Sequence, residues 1–395
     1  MTKEYFNKDR DRGSRMKKAL MVASVASMIR QFNMENIKLL QELGYKVTVA
    51  TNFNGSDNEP KKSSIELIKK LERMGVNTIQ IDMDRLPLKF KNYKAYSQLK
   101  KNTNENKYDL IHCQSPVGGV LTRLAAINKK AKVIYTAHGF HFFKGAPRKN
   151  WLIFYSLEKV LSYFTDILIT INNEDYQRAK KEFHAKKTVY IPGVGIDSEK
   201  FSQNNLPTTK IREELNINKD DFLLMSVGEI NENKNHEIII RALANIDERL
   251  IKFAIIGIGS EKERLELLSQ SLEISDRILF LGYKNNVKDY LSVADAFVFP
   301  SKREGLGLAA LEAMASGLPI VTSNVHGIKD YSENGVTGFT FNPHDLETAI
   351  KAINNMYNLD EDEKNKMKNR NKKIAQKFDI SNVNQAMKEV YEYDI

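Results

Sequence analysis

The chain has 395 residues, 42% of them hydrophobic and 28% charged, with a formal net charge of +10 and a single cysteine, Cys113. This length allows two or three domains with cores of their own, and the composition is that of a folded globular protein. One cysteine excludes an internal disulfide and any multi-cysteine metal site. No apolar run reaches the ~18–20 residues that would cross a bilayer, and no secretory signal opens the sequence, so a cytosolic protein is expected.

The charge is uneven. Residues 1–195 hold 35 Lys and Arg against 18 Asp and Glu, a net of +17, whereas 196–395 are net −7. Leaving out residues 1–15 still leaves +15 in the first half. Such an asymmetry points to a polyanion facing that half, nucleic acid or an anionic membrane, over the plainer alternative of a solubilising surface.

Residues 1–15 are polar and aperiodic and are expected to form a disordered leader, and Met16 is a candidate natural start. Strands and helices then alternate: strand 19–25, helix 32–44, strand 46–52, helix 65–75, strand 77–83, strands 108–114 and 132–139, helix 150–164 and strand 166–172. Apolar strands separated by helices predict a parallel sheet covered on both faces. The segment VYIPGVGIDSEKF (189–201), with Pro192, Gly193 and Gly195, marks a junction. The same grammar restarts with strands 222–228, 252–260, 277–283, 296–301 and 319–323 around helices 236–246 and 307–317. The expected division is a first Rossmann-like domain over 16–192, a linker over 193–205 and a second Rossmann-like domain over 206–372. A final helix over 373–395 would pack back on the first domain. The fold class is α/β, two facing Rossmann-like domains with a cleft between the carboxyl ends of their strands.

The densest chemical signal is SKREGLGLAALEAMASGLPIV (301–321). The loop Glu304-Gly305-Leu306-Gly307 leads directly into a helix carrying Glu312. Backbone N–H groups of such a loop, with the positive end of the helix dipole, suit a diphosphate. Glu312 can accept hydrogen bonds from a ribose diol, and Glu304 can reach toward a sugar. The alternative is an ordinary strand–loop–helix with two solvated acids.

Glu304 and Glu312 match the E-x7-E element of the retaining glycosyltransferases of family 4, and the resemblance runs from Met16 to the end of the sequence. It rests also on SPVGGVLTRLAA (115–126), YTAHGFHFFKGAP (135–147), IPGVGIDSEKF (191–201) and SVGEINENKNHEIIIRAL (226–243). HGFHFFKGAP and GEINENKNH resemble the branch that builds bacterial capsular polysaccharide, exopolysaccharide and lipid-linked glycans. The resemblance implies the two-domain fold called GT-B, with the first domain on the acceptor side and the second binding the nucleotide, a UDP-linked nucleotide-diphosphate sugar donor, no required metal, and retention of anomeric configuration. It gives Lys234, in the loop after Gly228, a role in neutralising the departing diphosphate. It places His138 against the transferred sugar, although a lone histidine is more often structural. The family's arginine after the strand glycine is replaced here by Glu229.

Other features carry weaker signals. Asp82-Met83-Asp84 forms a D-x-D at a predicted strand end and is read as a chance acid pair. His138 and His141 lack an accompanying ligand set, so no metal is assigned. Arg30 and Asn33 are candidates for an acceptor phosphate. Lys38, Lys46, Lys61, Lys62, Lys69 and Lys70 are candidates for an anionic leaflet, against the alternative of a solvated face. The expected activity is transfer of a sugar, N-acetylhexosamine by analogy with the branch, from a UDP-linked donor to a polyprenyl-diphosphate-linked glycan at the inner membrane surface. A nucleotide-sugar epimerase on the same scaffold is the alternative. A nucleic-acid-binding protein is disfavoured, because no stacking aromatics interleave the basic half.

Overall fold

The computed structural model describes residues 15–54, 61–84, 89–114, 116–143, 145–202 and 208–394. The leader expected over 1–15 lies, apart from Arg15, outside them. The first sheet contains β1 (Lys17–Val25), β2 (Tyr45–Asn52), β3 (Asn77–Gln80), β4 (Leu110–Gln114), β5 (Lys132–Ala137), β6 (Ile167–Thr170) and β7 (Lys187–Tyr190), in the order β3-β2-β1-β4-β5-β6-β7. The second contains β8 (Phe222–Val227), β9 (Ile251–Ile256), β10 (Ile278–Gly282), β11 (Ala296–Phe299), β12 (Ile320–Ser323) and β13 (Gly338–Phe341), in the order β10-β9-β8-β11-β12-β13. The paired strands in both sheets run parallel.

Burial on both faces explains the sequence pattern. Ala19 to Ala23 in β1 are fully buried, and so are Leu223 to Met225 in β8, because helices cover each sheet above and below. Each sheet changes direction of growth once, between β1 and β4 in the first and between β8 and β11 in the second. Such switch points open a crevice at the carboxyl ends of the strands, where open α/β sheets bind ligands. Here the two crevices face each other.

The chain crosses between the sheets twice, and the crossings hydrogen-bond to one another. The Ile196 amide donates to the Phe378 carbonyl at 2.9 Å, and the Ile380 amide donates to the Ile196 carbonyl at 2.9 Å. Asp379 sits on this crossing. Burial would raise its pKa, but hydrogen bonds from Ser198 and Ser381 outweigh that and hold it at about 2. Beyond it the helix Ile380–Glu392 returns to the first domain, where Val383, Met387, Val390 and Tyr391 join the core beneath β1 and β2. The Tyr391 hydroxyl lies 2.8 Å from Nδ1 of the fully buried His112.

Several element boundaries differ from the sequence expectation. The strand expected over 77–83 ends at Gln80, whose side chain turns back to accept from the Phe53 amide. Asp82 therefore lies in a connection, paired with Lys94 at 2.7 Å and hydrogen-bonded by Gln80 and Gln98. The first two residues of the junction expected over 189–201 belong to a true strand, β7, at the edge of the first sheet. The GFTF strand, β13, was not anticipated, since four residues beside a glycine give too short a pattern. The helix expected over 150–164 contains a π-helical stretch, Trp151–Tyr155. No helix among the described residues is long and apolar enough to cross a membrane.

Candidate active site

On the second domain, β11 ends at Phe299 and the chain passes through the Glu304–Gly307 loop into the helix Leu308–Ala315. Gly307 caps that helix at φ +90°, where a Cβ would lie 2.5 Å from the Phe299 ring. A side chain there would meet both backbone strain and a clash. Gly305 is required for a different reason: its Cβ would stand 2.5 Å from the His138 carbonyl oxygen of the opposite domain. The two halves of the cleft approach one another here backbone to backbone. The Leu306 side chain is buried in the second domain's core, which leaves its backbone for the cleft.

Lys234 follows β8 and Gly228 in a loop tied to the 301–305 segment. The Lys302 amide donates to the Asn233 carbonyl at 2.7 Å, and the Asn233 side chain donates to the Arg303 carbonyl at 2.9 Å. This stitching aims the Lys234 ammonium at Glu304, with Nζ 2.6 Å from Oε1 and 4.8 Å from the centre of the Phe299 ring. Both charged groups are largely buried, so each holds the other in place until a ligand competes. Glu229 lines the same cavity as Gly228 and Lys234, and brings an acid where the resemblance implies a cation.

His138 directly follows β5 on the opposite domain. It lines three adjoining cavities among the described residues, and its ring packs 5.4 Å from the Phe32 ring and has Nε2 2.6 Å from Gln114 Oε1. Burial lowers its pKa to about 4, so the ring is neutral near pH 7. Gln114 closes β4 at the switch point and itself donates to Asn33. Asn33 is fully buried, donates to the Met28 carbonyl and accepts from Asn36. Its side chain thus fixes the first-domain loop and is not available to an acceptor phosphate, contrary to the expectation from sequence.

Glu312, on the cleft side of the Leu308–Ala315 helix, lines a cavity of about 430 Å³ together with Arg30, Gln114, Gly193 and Lys200. Burial raises its carboxyl to about 7, against the lowering influence of Lys200. Lys70 lines the same cavity, so it is not remote from the cleft as a purely membrane-facing lysine would be. His141 packs 4.9 Å from the Phe154 ring, and its pKa falls to about 4, through burial first and then the nearby Arg303.

Sequence reasoning missed a second set of residues, which clamps the loop from behind. His326 Nε2 lies 3.2 Å from Asp175 Oδ1 across the domain boundary, and Nδ1 lies 2.7 Å from the Glu304 carbonyl. Both ring nitrogens face acceptors, an arrangement that a doubly protonated ring satisfies. Burial opposes that charge, but the hydrogen bond and charge of Asp175 outweigh it and keep His326 above its ordinary pKa. Asp175 also accepts from the Phe140 amide and the Asn172 side chain, and its pKa is lowered despite burial, chiefly by His326. Arg303 reaches the other way and donates to the carbonyls of Gly139 and Phe140. Asp330 accepts from the Asn173 amide at 2.8 Å and from Tyr190 at 3.2 Å. The partners that meet across the domain boundary lie more than a hundred positions apart in the chain, and no local pattern announces them.

Comparison with known proteins bears on the family and the fold. The family of glycosyl transferases group 1 matches residues 207–374, and the glycosyl transferase 4-like family matches residues 20–172. The Bacillus subtilis protein EpsD, provisionally named as a glycosyltransferase, is 34% identical over 382 residues, 95% of this chain and 96% of its own. An Escherichia coli UDP-Gal:alpha-D-GlcNAc-diphosphoundecaprenol alpha-1,3-galactosyltransferase is 31% identical over 67% of this chain and 70% of its own. The crystal structure of Anabaena Alr3699/HepE in complex with UDP superposes with a TM-score of 0.75 at 19% identity, covering 95% of this chain and 99% of that one. Two facing Rossmann-like sheets of this kind form the GT-B fold, and with the matches over both halves the chain belongs to the group 1 glycosyltransferases.

Proposed function

We propose that this glycosyltransferase moves a sugar from a UDP-linked donor, with retention, onto a polyprenyl-diphosphate-linked glycan acceptor at an anionic membrane surface. The observation that carries this reading is the meeting of Lys234, Glu304 and the Gly305 backbone with His138 at the two opposed switch points. The named substrates of the E. coli relative, a UDP-sugar donor and a diphosphoundecaprenol-linked acceptor, support it. The N-acetylhexosamine rests on the resemblance to the capsular and exopolysaccharide branch.

In this reading the donor diphosphate lies over Gly305 and the start of the Leu308–Ala315 helix, and Lys234 turns from Glu304 to the leaving oxygens. Glu312 accepts hydrogen bonds from the ribose diol. Glu304, released from Lys234, and His138, held neutral by burial, orient the sugar. The acceptor hydroxyl attacks the anomeric carbon from the face that the diphosphate leaves. The new C–O bond forms as the C–O bond to phosphate breaks, and the hydroxyl proton passes to the departing diphosphate oxygen. The protein contributes orientation and stabilisation of the charge developing on the diphosphate.

Two tests follow. Glu304→Ala and Glu312→Ala should each lower transfer at least about tenfold, as expected for loss of a positioned charged hydrogen bond. UDP release that depends on added lipid-linked acceptor is the measurement; full activity in either folded variant removes that residue from the site. Because Lys234 and backbone amides supply the positive charge, EDTA should leave the rate nearly unchanged. A collapse restored by manganese or magnesium would show that the diphosphate site uses a metal. An epimerase would release no UDP in response to acceptor.

A further inference from the structure

The helical segment over residues 148–162, with the turn at 163–164 that follows it, carries its apolar residues on both faces. Inward, Trp151, Phe154 and Tyr155 pack against the first domain's core, and Glu158 is buried in an ion pair with Arg123 at 2.8 Å. Outward, the exposed positions are Leu152, Ile153, Ser156, Val160, Tyr163 and Phe164. Leu152 is 74% exposed and Tyr163 64%. Steps of three and four place these side chains in one stripe, where a helix of a water-facing surface normally carries charges. The Tyr163 ring stacks on His184 at 4.2 Å, which holds the end of the stripe in place.

We infer that this stripe is a docking surface for an anionic lipid bilayer, inserted at the boundary of headgroups and acyl chains. Charge complementarity selects this occupant. Arg148 and Lys149 are exposed at the start of the segment and Lys159 flanks the stripe, whereas its single acid, Glu158, points inward to Arg123. The segment therefore presents apolar and aromatic groups rimmed by cations, the composition of an interfacial helix. The helix Lys61–Arg73, by contrast, intersperses its lysines with Glu66 and Glu72.

The location joins this surface to the chemistry. Phe154 and Glu158 line a cavity with His138, Arg303, Glu304 and Gly305, so the stripe and the cleft lie on opposite sides of one helix, about 10–12 Å across. A bilayer on the outer face would deliver a lipid-anchored diphosphate sugar to the edge of the cleft. The inference rests on the proposed lipid-linked acceptor.

The test is flotation of the full chain with phosphatidylglycerol–phosphatidylcholine vesicles and with phosphatidylcholine vesicles, at low and high salt. The wild-type chain should bind the anionic vesicles and retain part of that binding at high salt, because insertion of the stripe is not screened. The triple variant Leu152→Ser, Ile153→Ser, Val160→Ser should lose at least about tenfold in binding at both salts, with its thermal midpoint unchanged. Lys62→Gln with Lys69→Gln should change binding less. Wild-type-like binding by the triple variant overturns the inference. So does conversion of a dimer to a monomer by that variant in light scattering, which would assign the stripe to a second copy. UDP binding, measured in parallel, separates the two readings: its absence in a chain that still floats with vesicles removes the donor reading and leaves the docking surface.

Discussion

Replacing Lys234 by alanine should lower kcat/KM by about a hundredfold, the size seen when one preorganised donor to a developing anion is removed. The ammonium is already oriented by the Asn233 loop and by Glu304, so little reorganisation is needed when the diphosphate arrives. Lys234→Arg should recover part of the loss, since charge is retained while the point geometry changes. The ion pair makes a further demand. In the Lys234→Ala, Glu304→Ala double variant the losses should fall well short of multiplying, because each single variant leaves the other charge buried without its partner. Acceptor-dependent UDP release under single turnover decides the matter, and a folded Lys234→Ala enzyme within threefold of wild type would remove the lysine from the leaving-group site.

The second large effect concerns stability. His326→Ala leaves the carboxylate of the fully buried Asp175 without its charged partner, a change that costs on the order of 3–5 kcal/mol in buried ion pairs. Its pH dependence has a defined sign. His326 has a raised pKa in the folded chain, so its contribution is complete below the unfolded value of about 6.5 and is lost as pH rises through the folded value. Asp175 has a lowered pKa, so its contribution is present above about 3.9 and is lost as pH falls through the folded value. The thermal midpoint of the wild type should therefore exceed that of His326→Ala by more at pH 6 than at pH 9. An equal gap at both pH values would mean that the pair is not charged. Because His326 also holds the Glu304 carbonyl, the variant should lose activity even at temperatures where it remains folded.

The sequence made the architecture legible because it is written in local signals. Apolar runs such as that of β1 mark strands buried on both faces, and Gly317 followed by Pro319 closes the Glu312 helix. The loop at 304–307 is likewise accessible, since it joins a recognisable strand to a helix, whereas Lys234 and His138 stand out only through the family resemblance. What could not be read is whatever depends on a partner from the other domain. Asp175 looks like an ordinary residue of a helix start, where Asn172 caps its amide, and only the fold brings His326 to it. Asn33 was misjudged for the same reason: a polar residue at a helix start looks available until Gln114, from β4, is placed against it. The outward stripe at 152–164 escaped notice because periodicity identifies a helix without saying which face the domain will cover.

The return of the helix Ile380–Glu392 to the first domain bears on how the protein is made. Val383, Met387 and Tyr391 complete a core that otherwise consists of residues before β8, and Tyr391 supplies the partner of the buried His112. On a ribosome the first sheet emerges early, yet its apolar underside stays open until the helix Ile380–Glu392 has been synthesised. At translation rates of roughly 5–20 residues per second the second domain is synthesised during that wait. The first domain to emerge is thus completed only after the second, and until then its apolar groove lacks the side chains that fill it.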